Sequence, residues 1–440
     1  MEHSLMTTTL PQQGTPPSGS PARFKTFRAL RYRNFRLLWI SLIVSSVGTW
    51  MQIVAQSLLV LAITNHSAFA LGTVSLAQAS SFFIFAFIGG SVADRIDKRR
   101  LLLFTQTLSM LLAALLGVLT LTGQIQFWMV VVIAFCSGTV LSFDQPTRSA
   151  LIPTLVPRED LMNAISLQSI VFNGSAFIGP ALAGIMIGVL AQAGHALGLH
   201  GPLIGYAGNF LLNAVSFLGV LVVLFLLQVP HDAEASERRA PLLNSIKSSL
   251  STVRRDSVLP WVLSGYGIML FFGPSTSLIL PIFATQILHL TDAQLGLLFS
   301  ASGLGTILGA LMVASLGEVK KKGWLMLGSL LIWASALLLF AFSTVFWLSL
   351  LTLLIFGIAQ NGVGATTITL MQTRVPPQMR GRVMSLNTLM IMGIRPLGDF
   401  PAGAAIGLIG GPLTVCISSL IIGGYTLFLL LTRPTVRDVV

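Results

Sequence analysis

Apolar stretches of about 20 residues, the length at which a helix crosses a hydrocarbon layer, recur twelve times along this chain of 440 residues. They lie at roughly 37–63, 69–92, 101–122, 127–145, 163–191, 204–228, 259–285, 292–316, 324–343, 346–369, 383–408 and 412–432. Backbone N–H and C=O groups have no water to bond in such a layer, so each stretch has to be a helix that satisfies itself. Charged residues are 9% of the chain, against about a quarter in a soluble domain, which excludes a soluble fold. The expectation is an all-α membrane protein of 12 transmembrane helices, with the lipid bilayer as its surroundings.

The basic residues orient these spans. All 26 lysines and arginines except Arg395 fall in the tails or in every second loop, and the intervening loops carry none. Cytoplasmic loops collect Lys and Arg, so both termini are expected in the cytoplasm of a bacterial inner membrane. The net charge of +12 is then topological, and no nucleic-acid partner follows from it. Residues 1–22 read as a disordered tail, 23–229 as an N-terminal six-helix half, 230–258 as a cytoplasmic linker, 259–433 as a C-terminal half and 434–440 as a second tail. Cys136 and Cys416 sit inside apolar runs, no histidine does, and no phosphate-binding glycine loop is present. No metal site or cofactor is expected.

An internal repeat supports the division into halves. Residues 153–184 laid on 372–403, an offset of 219, match at nine positions, including Thr154, Val156, Pro157, Ser166, Gly174, Gly179 and Gly184. An offset of 224 lays Leu71-Gly72 on Leu295-Gly296, Asp94 on Glu318 and Lys98 on Lys322. Both repeats keep their direction, which describes two parallel halves related by an axis along the membrane normal.

Six charges arrive in the seven residues from Asp94 to Arg100. Most of them mark the inner side, but an acid at a helix end needs a partner or a helix N-terminus. The pattern Gly90-x-x-x-Asp94-Arg95-x-x-Lys98-Arg99-Arg100 resembles the loop 2–3 signature of the major facilitator superfamily, with Asp97 where that family has a second glycine. Glu318 with Lys320 to Lys322 resembles its second-half copy. Gly179-Pro180-x-x-x-Gly184 is similar to the span 5 signature of exporter branches. Asn34-Phe35-Arg36-Leu37-Leu38-Trp39, Pro146-Thr147-Arg148 and Arg380-Gly381-Arg382-Val383-Met384-Ser385 resemble the bacterial subgroup that holds enterobactin and macrolide exporters. The resemblance implies a gate in which Asp94 faces the start of span 11 near Arg382, Arg95 or Lys98 links to Asp144, and Gly90 and Glu318 complete the two copies.

Four further sets of residues bear on transport. Gly174, Gly179, Pro180 and Gly184 of span 5 suit close packing and a bend. Arg395 and Asp399 stand four apart inside span 11, on one helix face, and are expected to pair with each other or with substrate. Asp399 is the carboxylate placed well inside a span, so it is the candidate for proton coupling. Gln52, Gln56 and Gln360 are candidates to line the central path, since an amide inside a span seeks a partner. The expected function is secondary transport, with protons as coupling ion: an antiporter exporting an amphipathic small molecule, a siderophore or a drug, acting as a monomer and not as an enzyme. Import on the same fold is the alternative. A non-transporting polytopic receptor or enzyme is a third reading, opposed by outer loops that offer only scattered His66, His195, His200, His289 and Asp292.

Overall fold

Proline and glycine decide where the long apolar helices break and where they run through. The computed structural model describes residues 25–198, 203–227, 250–316 and 321–439, with all side chains there except those of 25, 26, 86–95, 377, 378, 382 and 385. The tail 1–22, most of the linker 230–258 and Glu318 lie outside the described residues. Spans 1 to 6 are Arg33–Ile63, Ala68–Arg95, Lys98–Leu121, Phe127–Leu155, Leu161–Ala196 and Ile204–Leu226. Span 7 is broken into Leu259–Phe272 and Thr276–Ile282, followed by a π-helical turn at Phe283–Ile287. Spans 8, 9, 10 and 12 are Asp292–Ser315, Lys322–Ala341, Phe346–Arg374 and Gly411–Thr432. Span 11 runs as Pro377–Leu389, a π-helical turn Met390–Ile394, and Arg395–Ile409. Eleven of the twelve, all but span 11, are long and apolar enough to cross a membrane among the described residues.

Three local features differ from expectation. Helix 2 continues to Arg95 and helix 3 begins at Lys98, so the charged stretch is two helix ends joined by a tight turn instead of a loop. Asp97 caps the second helix there, its carboxylate accepting from the Arg100 N–H at 2.8 Å. Span 4 runs through Pro146 and Pro153 to Leu155, well past the expected end near 145. That extension puts Arg148 on the helix, one turn beyond Asp144. The break in span 7 arises at Gly273-Pro274: Pro274 has no N–H to offer the preceding turn, and a side chain on Gly273 would meet the Trp333 ring. Ser275 then caps the second piece, its Oγ accepting from the Leu278 N–H at 3.2 Å.

The sequence repeat reappears as contacts. Gly138 of span 4 packs on the Gln78 carbonyl of span 2, and Gly357 of span 10 packs on the Ser302 carbonyl of span 8. The second pair is the first shifted by 219 and 224 residues. The five-residue difference between those offsets falls in span 9, which has 20 residues against 24 in span 3, and in the shorter turn after it.

Candidate functional site

The two halves meet along two seams at the end of the molecule away from the basic loops, here the far end. In the seam of spans 5 and 8, Gly184 lies under the Asp292 carbonyl, Gly296 over the Pro180 carbonyl and Gly303 over the Ala176 carbonyl. Pro180 has no N–H, so the Ala176 carbonyl one turn back has lost its helical partner and is available to meet Gly303. Ser300 Oγ donates to the Phe177 carbonyl at 2.6 Å. In the seam of spans 2 and 11, Gly403 lies against the Ala68 carbonyl and Gly72 against the Asp399 carbonyl. These are equivalent contacts: the sequence offsets carry Ala68 to Asp292, Gly72 to Gly296, Pro180 to Asp399 and Gly184 to Gly403. Glycine is required at each because the backbones approach within reach of a Cβ. Gln286 Nε2, beyond the break in span 7, donates to the His66 carbonyl at 3.0 Å and joins the halves at the rim.

These contacts in the seam of spans 5 and 8 use no charged side chain, and the other seam holds a carboxylate. Asp399, at the position equivalent to Pro180, is 2% exposed. Its Oδ2 accepts from Ser75 Oγ of span 2 at 3.0 Å, and its Oδ1 from the backbone N–H of Ser275, the cap after the break in span 7, at 2.8 Å. A single side chain thus ties spans 2, 7 and 11. Gly398 beside it packs on the Phe271 carbonyl just before that break. The expected direct pair with Arg395 does not form: both Asp399 oxygens are taken by donors from the neighbouring spans. Arg395, one turn before Asp399 on span 11, has its Nε buried without a hydrogen-bond partner. Below this level Phe83 of span 2 presses its ring against Gly393 inside the π-helical turn of span 11, next to Pro396, whose missing N–H disrupts the regular ladder.

Toward the basic end the seam between spans 5 and 8 parts. The face of span 5 that carries Gly184, Pro180 and Ala176 continues, at steps of three and four, through Asn173, Ser169, Ser166 and Met162. Ser169, Ser166 and Met162 are exposed, Met162 at 74%. On span 8 the corresponding continuation, Ala310 and Ala314, is exposed as well. The space between these spans is closed at the far end and open at the basic end.

The remaining expected residues divide. Asp144 is buried, but its partner is Arg148, at 2.6 Å, with Thr105 Oγ1 and Gln106 Nε2 donating at 3.0 and 2.7 Å. Lys98 is not among those partners, because the run-through of span 4 supplies a closer cation. Arg99 donates to the Leu224 and Phe225 carbonyls at 2.6 Å, closing the C-terminal end of span 6. Gly90, Asp94 and Arg95 lie on the last turns of helix 2 with side chains outside the described set, as does Arg382. Gln52 accepts from Asn213 Nδ2 at 2.6 Å, joining spans 1 and 6, whereas Gln56 and Gln360 are half-buried. Gly179 packs on Trp50 of span 1, but Gly174 faces open space and has no packing role. Ser75, Ser275 and Gly303 were not singled out by sequence reasoning, and Gly72 entered it only as a repeat position; the signal for Ser275 was the Gly273-Pro274-Ser275 triplet.

The model of the transmembrane secretion effector family matches residues 24–436. The chain is 26% identical to the enterobactin exporter EntS of Citrobacter koseri, over 90% of this chain and 91% of that one. It is 25% identical to the staphyloferrin A transporter of Staphylococcus aureus, over 84% and 91%. Among solved structures it resembles a bacterial homologue of the lysosomal transporter spinster in an inward-facing, unoccupied conformation, with a TM-score of 0.71 at 14% identity over 92% and 96% of the chains. A bacterial homologue of the iron transporter ferroportin, in an inward-facing state, gives 0.69 at 16% identity over 90% and 98%. Two parallel halves of six helices, the paired seams and these likenesses agree on one fold, and the chain belongs to the transmembrane secretion effector family, a multi-pass transporter of the major facilitator superfamily and not an enzyme.

Proposed function

We propose that this protein is a proton-coupled exporter of amphipathic small molecules of the siderophore kind, working by alternating access as a monomer, with its basic end in the cytoplasm. The observation that carries this reading is the buried carboxylate of Asp399, held by donors from both halves at the closed end. An ionised Asp399 accepts both bonds as a charged acceptor, and such bonds are stronger than neutral ones. It therefore keeps the empty carrier from opening at the far end. Protonation neutralises Asp399 and weakens its bond to Ser75 of span 2, the one of its two bonds that crosses between the halves. Arg395, close by and lacking a partner at Nε, offers a substrate anion a second way to relax the same tie. The empty, unprotonated carrier is thereby held shut at the far end until a proton or cargo relaxes the tie. Gln56 and Gln360 line the path in this reading, and Asp94 with Arg95 and Lys98, echoed at Glu318, forms the gate that closes at the basic end once the halves rock.

The test is Asp399→Asn in proteoliposomes, with enterobactin and staphyloferrin A as cargo. Transport driven by an imposed pH gradient is expected to fall at least about tenfold, corresponding to about 1.4 kcal/mol, while cargo exchange without a gradient persists. Undiminished gradient-driven transport at equal protein content would remove Asp399 from the coupling step.

A further inference from the structure

The strip of span 5 that faces the opened space has a definite hydrogen-bonding character. Ser166 Oγ donates to the Met162 carbonyl at 2.8 Å, and Ser169 Oγ to the Ile165 carbonyl at 3.2 Å. Asn173 Nδ2 donates to the Ser169 carbonyl at 2.9 Å. A serine has one proton to give, so both hydroxyls have spent theirs on the helix and retain only lone pairs. Asn173 keeps a free carbonyl oxygen and one N–H. The strip therefore presents acceptors in excess, at successive turns of one helix face. Those turns lead directly into the closed seam at Ala176 and Pro180. No acid or base occurs on span 5 from Leu161 to Gly194, nor on span 8 from Ala293 to Ser315, so this wall offers no countercharge to a cation.

We propose that Ser166, Ser169 and Asn173 are substrate-contacting residues that select cargo bearing hydroxyl or amide N–H donors and no cationic group. The proposal rests on the export reading and narrows its substrate class. An acceptor ladder rewards phenolic or alcoholic hydroxyls directed sideways from an elongated molecule, whose apolar parts meet Ala310 and Ala314 across the gap. A molecule of the same shape with its hydroxyls methylated has nothing to give the strip. An ammonium satisfies the acceptors but finds no carboxylate. In the repeat, Ser169 corresponds to Thr388 of span 11, which is also exposed, whereas Asn173 corresponds to Met392.

The probes are an aryl amide with two phenolic hydroxyls and its dimethyl ether, taken up by the full-length protein in proteoliposomes under an imposed pH gradient. Wild-type protein is expected to favour the diphenol in kcat/KM by roughly ten- to a hundredfold, the worth of two to three neutral hydrogen bonds. In the triple variant Ser166→Ala, Ser169→Ala, Asn173→Leu, the ratio is expected to fall to within about threefold; alanine and leucine are strong helix formers, so span 5 is retained. Ser169→Ala alone, expected to lower the ratio by about threefold to tenfold, serves if the triple variant is unstable. Equal transport of both probes by wild type, or an undiminished ratio in the variants, overturns the strip while leaving gradient-driven export standing. Failure to transport either probe overturns the hydroxyl-bearing substrate class, and the strip with it.

Discussion

At the scale of single residues, the decisive arrangement is a carboxylate whose two oxygens are both engaged by partners far away in the chain. Ser75 is 324 residues from Asp399 and Ser275 is 124 residues away. Removing Ser75 Oγ by alanine leaves a buried carboxylate with one donor fewer, a change worth about 1–3 kcal/mol, read as a lower unfolding temperature of the detergent-purified protein. Threonine at the same position retains the hydroxyl and is expected to restore most of that loss. Gly174→Ala serves as the contrast: with open space around it, alanine is expected to be neutral or slightly stabilising through its better helix propensity, although the spacing in sequence groups Gly174 with Gly179 and Gly184. Asp399 was legible in the sequence because an acid at mid-membrane depth stands out against apolar neighbours. Its partners were not, since serines are common in such helices and nothing local says which of them faces an acid on another span. The same limit explains the Arg395 pair: a spacing of four places two side chains on one face, but competition from other spans decides whether they touch.

At the scale of helices, the seams depend on backbone approach, so a β-branched side chain at a contact glycine acts as a wedge. Valine at Gly296 would press on the Pro180 carbonyl and is expected to part spans 5 and 8 at the far end. The measurement is labelling of a cysteine introduced as Ser300→Cys, in a background with Cys136 and Cys416 replaced, by a membrane-impermeant maleimide applied from the far side. Little labelling with Gly296 intact and near-complete labelling with valine is the expected result; equal labelling in both would show that the seam tolerates the wedge. The number of helices, their order and the two halves were readable from apolar runs and charge placement alone. Helix ends near charged residues were less so. Arginines that looked like loop residues, Arg148 above all, ride on helices that continue past prolines, because a proline costs a bond without forbidding continuation when neighbouring spans hold the helix in place.

At the scale of the whole molecule, each half is stapled at its basic end by an ion pair of opposite polarity. Before span 1, Arg28 and Arg31 reach the buried Asp160 ahead of span 5, at 3.0 and 2.9 Å, with Tyr32 OH donating at 2.8 Å. Before span 7, Asp256 caps the helix start through the Val258 and Leu259 N–H groups and pairs with Arg374 at the end of span 10, at 3.1 Å. Burial raises the Asp256 carboxyl, but the two N–H groups and the Arg374 guanidinium outweigh it and hold its pKa below the usual carboxylate value. A lowered folded-state pKa means that this staple contributes fully above about pH 4 and is lost as the pH falls through the folded value. Asp256→Asn is therefore expected to lower the unfolding temperature at pH 7 and to have progressively less effect in stronger acid, as followed by a thermal-shift series. Such staples favour two bodies that move as units while the seams between them open and close.

The shorter span 9 tells where this architecture accommodates changes of length. Five residues separate the two repeat offsets, yet every glycine contact in both seams stays in register, because the loss sits in a helix whose neighbours all belong to its own half. One residue added inside spans 2, 5, 8 or 11 would instead rotate everything beyond it by about 100° and turn glycines away from their carbonyls. The turn at Gly123, which has a φ of +69° and nothing within 4 Å of a Cβ placed there, is thus a natural insertion point for an epitope or a fluorophore-binding peptide. Such a reporter would ride on the periphery of the carrier and leave the moving surfaces untouched.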